Sequence, residues 1–158
     1  MIQRIQSVYL LIVVLLSASV FFLPISSKIG ITDTSVIYKM DTFNIYQLKG
    51  ADTVVINNVI FNTFINAAIG LLALFALFKF KSRGLQVKIC KTLLLICAAF
   101  IALLFYETDR MIPGSSTDFK TIYLPAIYAA VVMPILVFMA LKAIRKDDDL
   151  VRSVDRIR

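Results

Sequence analysis

Four long apolar stretches, residues 5–23, 59–78, 89–106 and 123–144, carry no charged residue or histidine near their middles. A helix rising ~1.5 Å per residue needs ~20 residues to cross ~30 Å of hydrocarbon, and each stretch is close to that length. In lipid every backbone N–H and C=O has to be satisfied within the protein, which selects helices for single apolar segments. The expected fold is an all-α membrane protein: a four-transmembrane-helix bundle forming one domain over residues 1–158, with a small extracytoplasmic β element between helices 1 and 2. The chain is 59% hydrophobic and 17% charged. Soluble domains carry ~45–50% apolar residues, so the excess belongs to a membrane class.

The net charge of +7 raises nucleic acid as a partner, but the distribution of the charge argues against it. With the N-terminus placed in the cytosol, most of the basic residues fall on the cytoplasmic side: Arg4, then Lys79, Lys81, Arg83, Lys88 and Lys91, then the positions after residue 141. The short segment from Lys79 to Lys91, joining the second and third spans, holds five of these and no acid, the pattern that keeps a loop inside. The basicity therefore sets topology, with both termini cytoplasmic in a bacterial inner membrane. DNA-binding stripes cluster on one helix face instead. Ser17-Ala18-Ser19 has the look of a signal-peptidase site, yet the apolar run continues through Leu23, beyond the usual ~7–15-residue core of a signal peptide. The first stretch reads as an uncleaved helix.

The segment 25–56 is too polar to span. Short runs rich in β-formers occur at 36–38, 43–48 and 53–56, separated by turn residues such as Asp41 and Gly50. They predict a two- or three-stranded sheet over the outer helix ends. A lone hairpin is marginal in water, so this sheet must pack on the helices or on a partner.

Within the second span Asn58, Asn62, Asn66 and Gly70 recur every four residues, which places them on one helical face. Amides are costly in lipid, so that face is expected to point into the bundle or a wet cavity. It serves either as an interhelical hydrogen-bonding seam or as a groove for a neutral solute or lipid headgroup. Pro134 lies mid-way along the fourth span and is expected to kink it, whereas Pro125 suits a first helical turn. Cys90 and Cys97, seven apart on the third span, read as packing residues. In the tail 145–158, Leu150, Val154 and Ile157 share a helical face, flanked by Arg145, Lys146, Arg152 and Arg156. That is a short amphipathic helix continuing from the fourth span and a candidate contact for anionic lipid or a protein partner.

The two ends of the chain carry a resemblance. Met1-Ile2-Gln3-Arg4-Ile5-Gln6 before a leucine-rich span, and Ile144-Arg145-Lys146-Asp147 with Val151-Arg152-Ser153 and Asp155-Arg156, resemble a family of small four-span inner-membrane proteins. That family occurs in Bacteroidota-type bacteria and is catalogued as a domain of unknown function. The resemblance implies four helices, an inner-membrane location and a role for the cytoplasmic ends; it implies no activity.

With no histidine in the chain, Ser–His, Cys–His and histidine–metal sites are excluded. The sequence shows no phosphate-binding glycine loop, metalloprotease helix or in-membrane carboxylate pair. No catalytic residue, metal or cofactor is expected. The leading expectation is a non-enzymatic scaffold or accessory subunit whose partners are the bilayer and a membrane protein or a second copy of the chain. Transport along the asparagine face is the alternative. It is limited by the lack of ionisable groups inside the spans and by a helix count that would require oligomers to enclose a path.

Overall fold

The computed structural model describes residues 5–31, 36–49, 52–79, 82–112 and 119–155, with side chains through residue 150. Helix α1 (Ile5–Val20) leads into strands β1 (Ser26–Gly30), β2 (Val36–Met40), β3 (Asn44–Lys49) and β4 (Asp52–Asn58). Helices α2 (Ile60–Phe78) and α3 (Arg83–Arg110), strand β5 (Phe119–Tyr123) and helix α4 (Pro125–Asp155) follow. The helices run up, down, up and down. α1 packs on α2, α2 on α3, α3 on α4, and α4 closes against α1.

The strands form one antiparallel sheet in the order β4-β3-β2-β1-β5. An all-α description is therefore wrong: this is a helical unit with a five-stranded sheet at one end. The runs at 36–38, 43–48 and 53–56 do become β2, β3 and β4. The two strands that escape the sequence are instructive. Ser26-Ser27-Lys28-Ile29-Gly30 has no run of β-branched residues, and Phe119–Tyr123 merges with the fourth apolar stretch. They pair with each other from Ser26↔Tyr123 to Gly30↔Phe119, and β1 is held on its other side by β2. The β1–β5 contact links distant parts of the chain and has no local signature, since β-preference is largely a matter of what lies across the strand.

The sheet is rooted in the helices at one end of every strand. The Ile25 N–H donates to the Met40 carbonyl (2.8 Å), Val59 N–H to Phe43 (2.9 Å) and Leu124 N–H to Ile25 (3.0 Å). Phe105 of α3 meets Tyr123 of β5 edge to face, with centroids 5.5 Å apart. Pro125 occupies the first position of α4, where its missing N–H costs no hydrogen bond.

Small and branched side chains fill the helix interior, among them Val13, Ala73, Ala76, Cys90, Cys97, Ala130 and Ala140. The outward faces carry bulky apolar groups: Phe64, Leu71 and Leu95 are 68%, 69% and 69% exposed. A soluble monomer rarely shows so continuous an apolar belt, whereas hydrocarbon is its natural solvent. Three helices, α2, α3 and α4, are long and apolar enough to cross a membrane, and the chain is a membrane protein. α1, at 16 residues, rises only about 24 Å, short of the span expected from the first apolar stretch. Its last turn opens at Phe21, and the chain then turns into the sheet.

Candidate functional site

The last four carbonyls of any helix have no intrahelical donor, and in α1 two of these residues, Ser17 and Val20, are buried at a junction with α2 and the sheet. All four are satisfied. The Ser17 carbonyl accepts from Asn66 Nδ2 at 2.9 Å. Ala18 accepts from the Phe21 N–H, and Ser19 from the Phe22 and Leu23 N–H groups. The Val20 carbonyl accepts from Thr42 Oγ1 at 2.6 Å. Thr42 is itself held, its carbonyl accepting from Thr63 Oγ1 of α2 at 2.9 Å. Two side chains from other elements thus cap α1 where water is scarce.

Asn66 is fully buried, and its contact with Ser17 runs both ways. Ser17 Oγ donates its single hydrogen toward the Asn66 carbonyl (2.9 Å), with Asn66 Oδ1 at 3.3 Å. Gly70, one turn along, makes room for this contact: a Cβ there would stand 2.8 Å from Ser17 Oγ. Asn62 is also fully buried. Its Nδ2 donates to Glu107 Oε2 on α3, while its Oδ1 meets no donor among the described residues. Asn62, Asn66 and Gly70 therefore share the inward seam of α2. Asn58 does not join them. It ends β4, exposed and paired opposite Asn44, because the helix begins only at Ile60.

Sequence reasoning missed the partners of this seam. Ser17 lies inside the first apolar stretch, Thr42 in the polar segment after it and Glu107 at the end of the third stretch, and only the packing shows what they meet. Gln86, fully buried at the opposite end, donates from Nε2 to the Ala76 carbonyl at 3.1 Å and fastens α3 to α2. At the sheet end Ser26 and Thr108 hydroxyls lie 3.1 Å apart. Lys28, 7% exposed, donates to the Asp109 carbonyl at 2.9 Å, placing a cation at the negative end of the α3 dipole. These contacts lock the sheet onto the helices. The Thr42→Val variant, nearly isosteric, leaves the Val20 carbonyl without its donor and is expected to cost about 1–3 kcal/mol. Thermal unfolding followed by a thiol-reactive dye checks this, since Cys90 and Cys97 are free and buried and react only on opening.

At the other end Arg83 pairs with Asp147 at 3.1 Å and also donates from Nη1 to the Asp147 carbonyl at 3.1 Å. This contact ties the start of α3 to α4 beyond its apolar part. α4 continues unbroken through Pro134 to Asp155; the proline nitrogen has no hydrogen to offer the buried Ala130 carbonyl. Arg145, Lys146 and Leu150 line a shallow groove with Lys142 and Asp149. Arg152 and Val154 continue the helix backbone, with side chains outside those described, and Arg156 and Ile157 lie beyond the described residues. No group of three or more metal-ligating side chains occurs among the described residues.

No curated protein matches the chain. A family model described as "Domain of unknown function (DUF4293)" matches residues 2–157, essentially the whole chain, and the protein belongs to that family.

Proposed function

We propose that this protein is a non-enzymatic membrane scaffold or accessory subunit, contacting other membrane proteins or lipids through its helix faces and the α4 extension. One observation carries the reading: most of the buried polar side chains of the helix seams bond to other parts of the chain, although Gln6 Nε2, Asn62 Oδ1 and Gln86 Oε1 meet no partner among the described residues, while the outward surfaces are left rich in contact area. Ser17 and Asn66 satisfy each other, Gln86 holds α2, and Thr42 caps α1. Outward, the α1–α2 seam is a groove lined by Val14, Ala18, Phe21, Ala67, Gly70 and Leu71, with small residues that permit close approach of a helix or lipid chain. β4 is an edge strand exposed along its whole length, the kind of edge that accepts another strand.

In this reading α1 is a fourth crossing, completed by the turn at 21–25 that leads into the sheet. The basic end, with Lys79, Arg83, Lys88, Lys91, Lys142, Arg145 and Lys146, faces the cytoplasm of a bacterial cell by the positive-inside rule, and both termini lie there. The sheet is extracytoplasmic. Affinity purification from native membranes tests the proposal. A stable protein partner or homo-oligomer is expected, and deletion of residues 150–158 should leave insertion intact while weakening that association. Recovery of the bare monomer alone would defeat it.

A second reading, a facilitator or binding site for a neutral solute or lipid, draws on the buried Oδ1 of Asn62, which meets no donor among the described residues. If it holds, Asn62→Leu abolishes solute passage in reconstituted vesicles without unfolding the protein. Wild-type vesicles impermeable to neutral solutes would end it.

A further inference from the structure

The α4 extension carries a basic face at a defined depth. From Pro125 to Ile144 the helix rises about 30 Å, the thickness of the hydrocarbon, and Ile144 is the last fully buried core residue on it. Lys142, Arg145 and Lys146 therefore sit at headgroup level. Arg145 and Lys146 follow Lys142 by three and four residues on an unbroken helix, so both flank it on one face with Cβ atoms about 5–6 Å from its own. None of the three makes an ion pair among the described residues.

The nearby acids do not cancel this face. Asp147 is taken by Arg83 of α3, which also fixes the rotation of α4 and leaves the lysines and Arg145 outward. Asp148 has an interaction of its own. Asp149 lines the groove and opposes the three cations, leaving a net positive site, and the exposed side chain of Leu150 closes it with an apolar foot. A basic groove at the membrane boundary is complementary in charge to an anionic phospholipid: phosphate on the cations, with the acyl chains running back into the hydrocarbon past the exposed Phe138 and Met139, one turn before Lys142.

We infer that Lys142, Arg145 and Lys146 form a binding site for the headgroup of an anionic phospholipid of the leaflet at the basic end. The inference rests on the orientation proposed above and narrows the lipid contact to this groove. Native mass spectrometry of the full-length protein in neutral detergent, titrated with phosphatidylglycerol and separately with phosphatidylcholine, tests it. Wild type should retain phosphatidylglycerol in preference to phosphatidylcholine. Each cation replaced by Gln should weaken retention roughly fivefold, and the triple variant Lys142→Gln/Arg145→Gln/Lys146→Gln on the order of 100-fold. Lys88→Gln/Lys91→Gln, at the same end but outside the groove, should leave it within about twofold of wild type. Asp149→Asn should tighten it several-fold, an outcome that stays readable even if the triple variant does not fold.

Equal retention of both lipids, an unchanged triple variant, an unchanged Asp149→Asn, or equal losses from the Lys88/Lys91 pair would each overturn the site. Loss of a co-purifying protein from the triple variant with phosphatidylglycerol retention intact would mean that the face docks protein and would overturn it too. The scaffold reading fails separately: a partnerless wild type that still selects phosphatidylglycerol defeats only that reading.

Discussion

Gly70→Leu is expected to lower the thermal midpoint of the detergent-solubilised protein by roughly 6–12 °C. Even a Cβ at this position would stand 2.8 Å from Ser17 Oγ, so a branched side chain has to push α1 from α2 or fold away into the seam. Overpacking of this kind costs about 1–3 kcal/mol. The displaced Ser17 also gives up a hydrogen bond to Asn66, worth about 1 kcal/mol net. At about 3 °C per kcal/mol, the middle of the range for a chain of this size, a loss of about 2–4 kcal/mol gives the stated shift. Gly70→Ala separates packing from helix propensity. It recovers about 1 kcal/mol of backbone entropy and forces only a rotation of the Ser17 hydroxyl, so its midpoint should lie within a few degrees of wild type. Reactivity of Cys90 and Cys97 toward a maleimide dye on heating reads both variants. A Gly70→Leu protein as stable as wild type would mean that α1 and α2 are not held in contact at Ser17.

The Asn66→Leu variant should be the next most damaging single change, costing about 2–3 kcal/mol. Leucine suits the seam in hydrophobicity, so a view of Asn66 as a mere polar intruder in an apolar helix predicts stabilisation. The opposite is expected because the Ser17 carbonyl, at the buried end of α1, loses the donor that caps it, and an orphaned buried acceptor costs about 1–3 kcal/mol. Measured interhelical bonds in membranes average ~0.6 kcal/mol. Asn66 exceeds that average because it caps a helix end that has no intrahelical donor to substitute. Ser17→Ala deletes the hydroxyl and keeps the carbonyl bond, so it should cost about 1 kcal/mol. If Ser17→Ala proves the worse of the two, the hydroxyl rather than the cap holds the seam.

The asparagine periodicity was a good guide because a four-residue recurrence on a helix is a purely local geometric fact. On α2 it coincides with the placement of Asn62, Asn66 and Gly70 on one seam. It failed at Asn58, where the apolar pattern runs continuously from strand β4 into α2 and the change of backbone between them leaves no mark in hydropathy. The same blindness hid β5 at the head of the fourth stretch. The tail helix was legible from its apolar spacing, and α4 does extend through to Asp155. Nothing in the sequence indicated that Arg83 would hold Asp147 and so set which face of α4 points outward.

What the sequence determined by itself was the solvent. Long uncharged stretches select helices in hydrocarbon whatever else surrounds them, because a backbone in lipid has to bond to itself. It also determined that basic residues gather at the junction of the second and third apolar stretches and after the fourth, and that no histidine is available for chemistry. The five-stranded order was decided only by tertiary structure, since β1 is held between β2 and β5, and the β-forming residues of β5 do not say which distant strand they pair with. The role of the polar residues was decided there too. Asn66 and Thr42 are capping groups for α1 because folding brings them to carbonyls that α1 cannot satisfy alone, and that meeting depends on distance in space rather than spacing in the chain.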